Sequence, residues 1–243
     1  MKIQLINPNT CQGMTDKIAV SAQTICLPDT EIIARSPAHG PESIECAVDE
    51  TIAAAAMLDV IAQGEAEGVN AHIVACFGDP AIDAARELAK APVIGIAGAA
   101  FQLASLVSHK FGVVTTMSRT LPAAHHLLHR YGYHHLCTGV RATDIAVLDL
   151  EHIQADVYKQ LVDECRAAIE QDGAEAIVLG CAGMSDLANE ISSELQVPVI
   201  DGVVAAVKLA ESLHALNLTT SKSGQYATPF GKAFHGRYQH WSR

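Results

Sequence analysis

The sequence predicts an α/β protein made of two pseudosymmetric three-layer α/β subdomains. Each is built on a mostly parallel sheet, with the active site in the cleft between them. Three observations carry this. Short β-branched apolar runs alternate with longer helical stretches, the pattern of a parallel sheet covered by helices. The pattern restarts near residue 110: Lys110-Phe111-Gly112-Val113-Val114 reads like Lys2-Ile3-Gln4-Leu5-Ile6. One apolar run in each half, Ala71–Ala75 and Ala176–Gly180, stops at a cysteine that is followed by X-Gly.

In chain order, Lys2 to Ile6 reads as a central strand. Asn7-Pro8-Asn9-Thr10 turns at its carboxyl end, with Asn9 or Thr10 placed to cap a helix over Gly13 to Ala22. Thr30 to Ala34 is a second strand, and the Gly/Pro-rich Ser36 to Ser43 a loop. A long Ala-rich helix covers Ile44 to Gln63. The first cysteine strand follows, then a helix over Pro80 to Ala89, a strand over Val93 to Ile96 and a helix over Ala99 to Ser108.

The second half repeats this order. A helix capped by Ser118 or Thr120 runs to Tyr131, and a strand spans Cys137 to Arg141. A helix over Glu151 to Gln171 answers Ile44–Gln63. After the second cysteine strand come a helix over Asp186 to Leu195, the strand Val197 to Ile200 and a helix over Val203 to Leu216. The cysteine strands, the Pro-Val-Ile strands and the opening strands recur at nearly one offset, which marks a duplication. The expected organisation is a first subdomain over residues 1–108, with the C-terminal segment free to pack back on it. A second subdomain covers 109–216, and a turn-rich surface tail covers 217–243.

Composition narrows the function classes. The chain has 243 residues, 49% hydrophobic and 5% aromatic, with a formal net charge of −11. That charge argues against nucleic acid or an anionic membrane as partner. No apolar run reaches membrane-spanning length, and the apolar run at the N-terminus is too short for a signal peptide. Seven scattered cysteines without a Cys-X-X-Cys pair read as reduced thiols, hence a cytoplasmic location. Their spacings fit no zinc site, and the histidines at 125, 126, 129, 134 and 135 read as a solvated face; no metal or cofactor is expected. Exposed Ala-rich helices suggest a homo-oligomer.

An isolated free cysteine is usually a small buried hydrophobe. Cys76 and Cys181 stand apart because each occupies the same place in its half, at the carboxyl end of a strand, where open α/β sheets put their chemistry. A helix N-terminus after each thiol would favour the thiolate. Backbone N–H groups at Phe77-Gly78-Asp79 and Ala182-Gly183-Met184 could hold an oxyanion. The loops carrying Asn9 and its counterparts Thr116, Met117 and Ser118 share that layer and read as substrate contacts. Gly95-Ile96-Ala97-Gly98 resembles part of a nucleotide fingerprint but lacks its third glycine.

Ile6-Asn7-Pro8-Asn9-Thr10, Cys76-Phe77-Gly78-Asp79-Pro80 and Gly180-Cys181-Ala182-Gly183-Met184, in this order, resemble the hydantoin racemase branch of the aspartate/glutamate racemase superfamily. Gly40-Pro41-Glu42-Ser43-Ile44 and the tail Ser221-Lys222-Ser223-Gly224-Gln225-Tyr226 look like the same branch, so the likeness spans the chain. It implies two pseudosymmetric lobes around one active site and cofactor-independent racemisation by Cys76 and Cys181. Hydantoins, including allantoin, are the cyclic ureides it implies as substrates. Ser43 and Ile44 enter as substrate contacts on the same resemblance. Amino-acid racemases of the superfamily usually carry Asn-Thr and Cys-Thr at the cysteine motifs. Phe77-Gly78 and Ala182-Gly183 stand there instead, which favours a neutral ring over an α-carboxylate.

Other classes stay open at this point. Within the enzymes these are a superfamily decarboxylase, an amino-acid racemase or a cis–trans isomerase. Outside them are a two-lobed small-ligand-binding protein and a redox dithiol protein.

Overall fold

The computed structural model describes residues 1–242. Its strands are β1 (Lys2–Ile6), β2 (Glu31–Arg35), β3 (Ala71–Val74), β4 (Val93–Gly95), β5 (Phe111–Thr115), β6 (Cys137–Ala142), β7 (Ala176–Leu179) and β8 (Val199–Ile200). Its helices are α1 (Gln12–Ile25), α2 (Ala47–Glu67), α3 (Ile82–Leu88), α4 (Ile96–Val107), α5 (Leu121–Tyr131), α6 (Ala155–Glu170), α7 (Ala188–Leu195) and α8 (Gly202–Ala215). The strands form two four-stranded sheets, ordered β2-β1-β3-β4 and β6-β5-β7-β8, and every pairing is parallel. The expected pseudosymmetric pair of sheets is thus present. β1, β3, β5 and β7 are central and, Lys2 apart, buried along their whole length because helices cover both faces.

Several helix starts differ from the sequence expectation, and each has a local cause. α2 begins at Ala47 rather than Ile44. Asp49 accepts hydrogen bonds from the N–H groups of Glu45 and Cys46, closing a capping box that fixes Cys46 as the cap. α4 begins at Ile96 rather than Ala99, which shortens the preceding strand. Its first free N–H groups, on Ala97 and Gly98, are bound by the carboxylate of Asp79 from a distant loop. α6 starts at Ala155, after a separate 3₁₀ turn at Val147–Leu150. α7 starts at Ala188, after a longer 3₁₀ segment at Ala182–Leu187. α1 runs three residues past Ala22.

The last helix of each half crosses over. α4 packs on β7, β8 and α5 as well as its own β4, while α8 packs on α1, β3, β4 and α4. Their N-termini meet closely: a Cβ on Gly202 would lie 2.5 Å from the carbonyl oxygen of Ile96. One continuous core therefore runs through both sheets, with Phe101 of α4 fully buried inside it. Phe77, Phe111 and Tyr131 lie around that ring at centroid distances of 5.6, 5.8 and 6.4 Å.

The tail lies against the first sheet's side of the molecule. Lys222 Nζ donates to the carbonyls of Arg86, Glu87 and Ala89, closing the C-terminal end of α3. Tyr226 donates to Asp83, and Arg86 sits over its ring at 5.7 Å.

Candidate active site

β1, β3, β5 and β7 all end in one layer, and the loops leaving them enclose a cavity of about 360 Å³. Cys76 follows β3 and Cys181 follows β7, and both line that cavity from opposite halves. All seven cysteines are free thiols. Cys76 and Cys181 keep part of their surface open, but they open into the cavity rather than to bulk water. Close packing fixes the second one. A Cβ on Gly180 would sit 2.6 Å from Thr115 Cβ, so only glycine lets β7 run this close to β5 just before Cys181.

The electrostatics of the two thiols differ. Burial pushes Cys76 up to about 12; the Gly78 N–H opposes this, while negative charge at Cys181, Glu50 and Asp79 adds to it. Burial also raises Cys181, to about 11. There the Gly183 N–H and the Lys17 ammonium pull it down, and Glu45 pushes it up. Lys17 reaches this position from α1, held by the Leu150 carbonyl at 2.7 Å and Asp186 at 3.1 Å. Both sites hold neutral thiols at pH 7. Cys181 is the one that ionises first, and its charge then opposes ionisation of Cys76.

The expected substrate contacts separate into two groups. Asn9, Ile44, Phe77, Gly78, Thr116 and Ala182 line the cavity with the cysteines. Asn9 is held by the Asn7 amide at 2.7 Å, and Asn7 also binds Thr15. Ser43, Met117, Ser118 and Gly183 do not line it. The Ser118 N–H is engaged by Asp144 at 2.7 Å. Gly183 is wedged against Leu150 and Met14, its N–H turned to the Cys181 sulfur. The Gly78 and Gly183 N–H groups lie where they lower the pKa of the neighbouring thiols, and Gly78 also lines the cavity.

Asp79 is the clearest correction. It was expected at the substrate, but its backbone is left-handed at φ 42° and turns the side chain away. Its carboxylate is buried and accepts from Tyr131 Oη at 2.7 Å and from the N–H groups of Ala97 and Gly98. Burial nevertheless holds it up near 6. The same contact explains Gly95, since a Cβ there would lie 2.2 Å from the Asp79 carboxyl carbon. The Gly95–Gly98 segment is a cradle for Asp79 and Tyr131, not a nucleotide fingerprint. The helix expected to open directly behind Cys76 is likewise displaced: α3 begins at Ile82, after left-handed Asp79 and Ala81.

Sequence reasoning did not find Cys46, Ala47 and Glu50 of the α2 start, nor Arg119, Thr120, Pro122 and His126 around the α5 start, all of which line the cavity. The one available signal was position: they directly follow Ser43-Ile44 and Ser118. Glu50 is the outlying charge. Burial raises its pKa, and its carboxyl has no hydrogen-bond or ion-pair partner among the described residues. Among the described residues, no group of three or more His, Cys, Asp or Glu is placed to hold a metal ion, and no helix is long and apolar enough to cross a membrane.

Residues 3–210 match the family model described as Asp/Glu/Hydantoin racemase. The chain is 47% identical over 236 residues to a hydantoin racemase of Rhizobium meliloti, covering 97% of this chain and 98% of that one. Among solved structures it resembles an allantoin racemase from Klebsiella pneumoniae at 49% identity and TM-score 0.97, over 100% and 99% of the two chains. An allantoin racemase from Pseudomonas fluorescens matches at 38% identity and TM-score 0.94, over 97% and 100%.

Proposed function

This chain belongs to the Asp/Glu/Hydantoin racemase family, and we propose that it inverts C5 of 5-substituted hydantoins, allantoin included, by a two-thiol mechanism without a cofactor. The enzyme is a racemase. The observation that carries the mechanism is that Cys76 and Cys181 enter one cavity from opposite halves, each at the carboxyl end of a central strand.

With the ring seated between the sulfurs, one cysteine acts as thiolate and removes the C5 proton, becoming a thiol. The electron pair left on C5 delocalises into the C4 carbonyl as an enolate. The other cysteine, a thiol, gives its proton to C5 from the opposite face and becomes the thiolate. The next turnover in the reverse direction starts from that state, so no net proton is consumed. Of the two neutral thiols Cys181 ionises first, because Lys17 favours its charge, so in the reactive form Cys181 is the base and Cys76 the acid.

The enolate oxygen has candidate donors beside the loop amides. The Thr116 hydroxyl donates to no protein group among the described residues, and the Asn9 amide has only a 3.8 Å contact to the Met14 sulfur. Both line the cavity and supply N–H or O–H groups for the ring carbonyls. Such a donor is worth roughly 3 kcal/mol to an oxyanion transition state. The unpaired thiols fit a reducing, cytoplasmic setting. Exposed Val48, Ile52, Leu106 and Val107 fit self-association.

The test is polarimetry on single enantiomers of allantoin, 5-isopropylhydantoin and 5-benzylhydantoin, with the protein as purified and after dialysis. Rotation should decay to zero without additives for at least one substrate. No decay with any of them removes the reading.

A further inference from the structure

The cavity holds a charge that the two-thiol chemistry does not use. Glu50 sits in the first turn of α2 and lines the cavity on the Cys76 side. The Cβ position of Gly78 lies 3.8 Å from the Cys76 sulfur and 3.7 Å from Glu50 Oε1, so thiol and carboxylate flank one point. Glu50 is half-buried, yet its carboxyl accepts no hydrogen bond and forms no ion pair among the described residues. Its neighbour Asp49 differs, being engaged by the Glu45 and Cys46 N–H groups. A carboxylate drawn partly out of water without donors carries an uncompensated desolvation cost. A ligand that brings N–H groups to it removes that cost.

From the other half, Arg119 also lines the cavity; it is exposed, forms no ion pair among the described residues, and its charge helps hold Asp49 below the usual carboxylate range. The two charges are not paired with each other, and of the two only the Glu50 carboxylate is drawn partly out of water. Ile44, Ala47 and Pro122 add apolar lining to the same cavity.

We infer that Glu50 is the residue that reads the C5 substituent, and that the substituent it selects is a ureido arm. This rests on the hydantoin reading above. A ureido group carries N–H donors for Glu50 and a carbonyl for Arg119, whereas the ring itself is held at C5 between the thiols. An alkyl or aryl substituent leaves Glu50 desolvated and unpaired. An anionic substituent meets Glu50 at close range and is repelled. A site built to hydrogen-bond a substrate group discriminates strongly against the analogue lacking it, since its own polar groups are then stranded.

The experiment compares kcat/KM for (S)-allantoin and one enantiomer of 5-isopropylhydantoin, in the native chain, in Glu50→Ala and in the isosteric Glu50→Gln. The native chain should prefer allantoin by about a hundredfold or more. The ratio of the two kcat/KM values should fall at least about tenfold in Glu50→Ala, with Glu50→Gln, which keeps one acceptor, in between. A general effect of Glu50 on Cys76 changes both substrates alike and cancels in the ratio. A native chain that racemises isopropylhydantoin as well as allantoin overturns the inference and leaves the racemase reading standing. So does an unchanged ratio in both variants. Activity on neither substrate overturns the inference, and inactivity on 5-benzylhydantoin as well removes the racemase reading.

Discussion

Replacing one thiol at a time gives the most specific test of the proposed chemistry. Serine keeps the shape of cysteine but holds its proton far above working pH, so Cys76→Ser and Cys181→Ser should each lose racemisation in both directions. General acid–base catalysis at one face is worth about 10²- to 10⁴-fold, and a loss in that range or larger is expected. Each variant keeps one thiol, which can still exchange the C5 proton of the enantiomer that faces it. The thiols differ by about one unit, near 12 for Cys76 and near 11 for Cys181. One unit is tenfold in thiolate population. Cys76→Ser, which retains Cys181, should therefore exchange faster than Cys181→Ser. The advantage is up to about tenfold, because removing Cys181 also removes one of the charges that raise Cys76. Proton NMR in deuterated buffer at pH 8, on each enantiomer separately, reads this directly. The variants should show opposite enantiomer preferences. Near-normal racemisation by either variant refutes the two-thiol mechanism. Faster exchange by Cys181→Ser refutes the charge assignment while leaving the mechanism.

Four further outcomes follow from the same geometry. Because both thiols titrate above neutrality, the reactive thiolate is scarce at pH 7, and kcat/KM should climb between pH 7 and 10; a flat profile below pH 9 contradicts the raised values. Lys17→Met removes the cation that lowers Cys181, so the rising limb should move to higher pH, and an unmoved limb would show that Lys17 does not act on the thiol. Gly180→Ala drives a methyl into Thr115 at 2.6 Å; it should cost about 1–3 kcal/mol in urea unfolding and more than tenfold in activity, and wild-type behaviour would mean that the β5–β7 approach is not tight. Lys222→Met strands three carbonyls at the end of α3 and should cost about 1–3 kcal/mol, with kcat/KM within about threefold of wild type.

The central parallel strands were legible because burial on both faces leaves short, mostly apolar β-branched runs. Cys76 and Cys181 stand out in the sequence because the duplication isolates them from five others, and the fold brings both to one cavity. What escaped the sequence depends on side chains arriving from far along the chain. The start of α4 is set by Asp79, and the start of α2 by a backward bond from Asp49 rather than by a cap ahead of it. Asp79 was misplaced because positive φ reverses the direction in which a loop residue points, and spacing carries no sign of φ. Glu50 looked like an ordinary first-turn charge; only the packing of α2 beside the Cys76 loop brings it to the cavity. The crossing of α4 and α8 is invisible in a repeat, because two like helices carry no mark of which sheet each will cover.

The two halves share one strand order but not one set of charges: Glu50 lies beside Cys76, and Lys17 beside Cys181. A racemase in achiral solvent has an equilibrium constant of one, so kcat/KM must be equal in the two directions whatever surrounds each sulfur. The unequal charges therefore cannot make the enzyme favour one hand at equilibrium. They can only divide the same barrier differently between binding and turnover. In the proposed two-thiol cycle, the enantiomer whose proton faces the acid thiol waits for the thiolate to change sides, and any excess in its kcat must be matched by the same excess in its KM. Progress curves started from the two pure enantiomers would differ in curvature and saturation, yet converge at low substrate to a single rate constant.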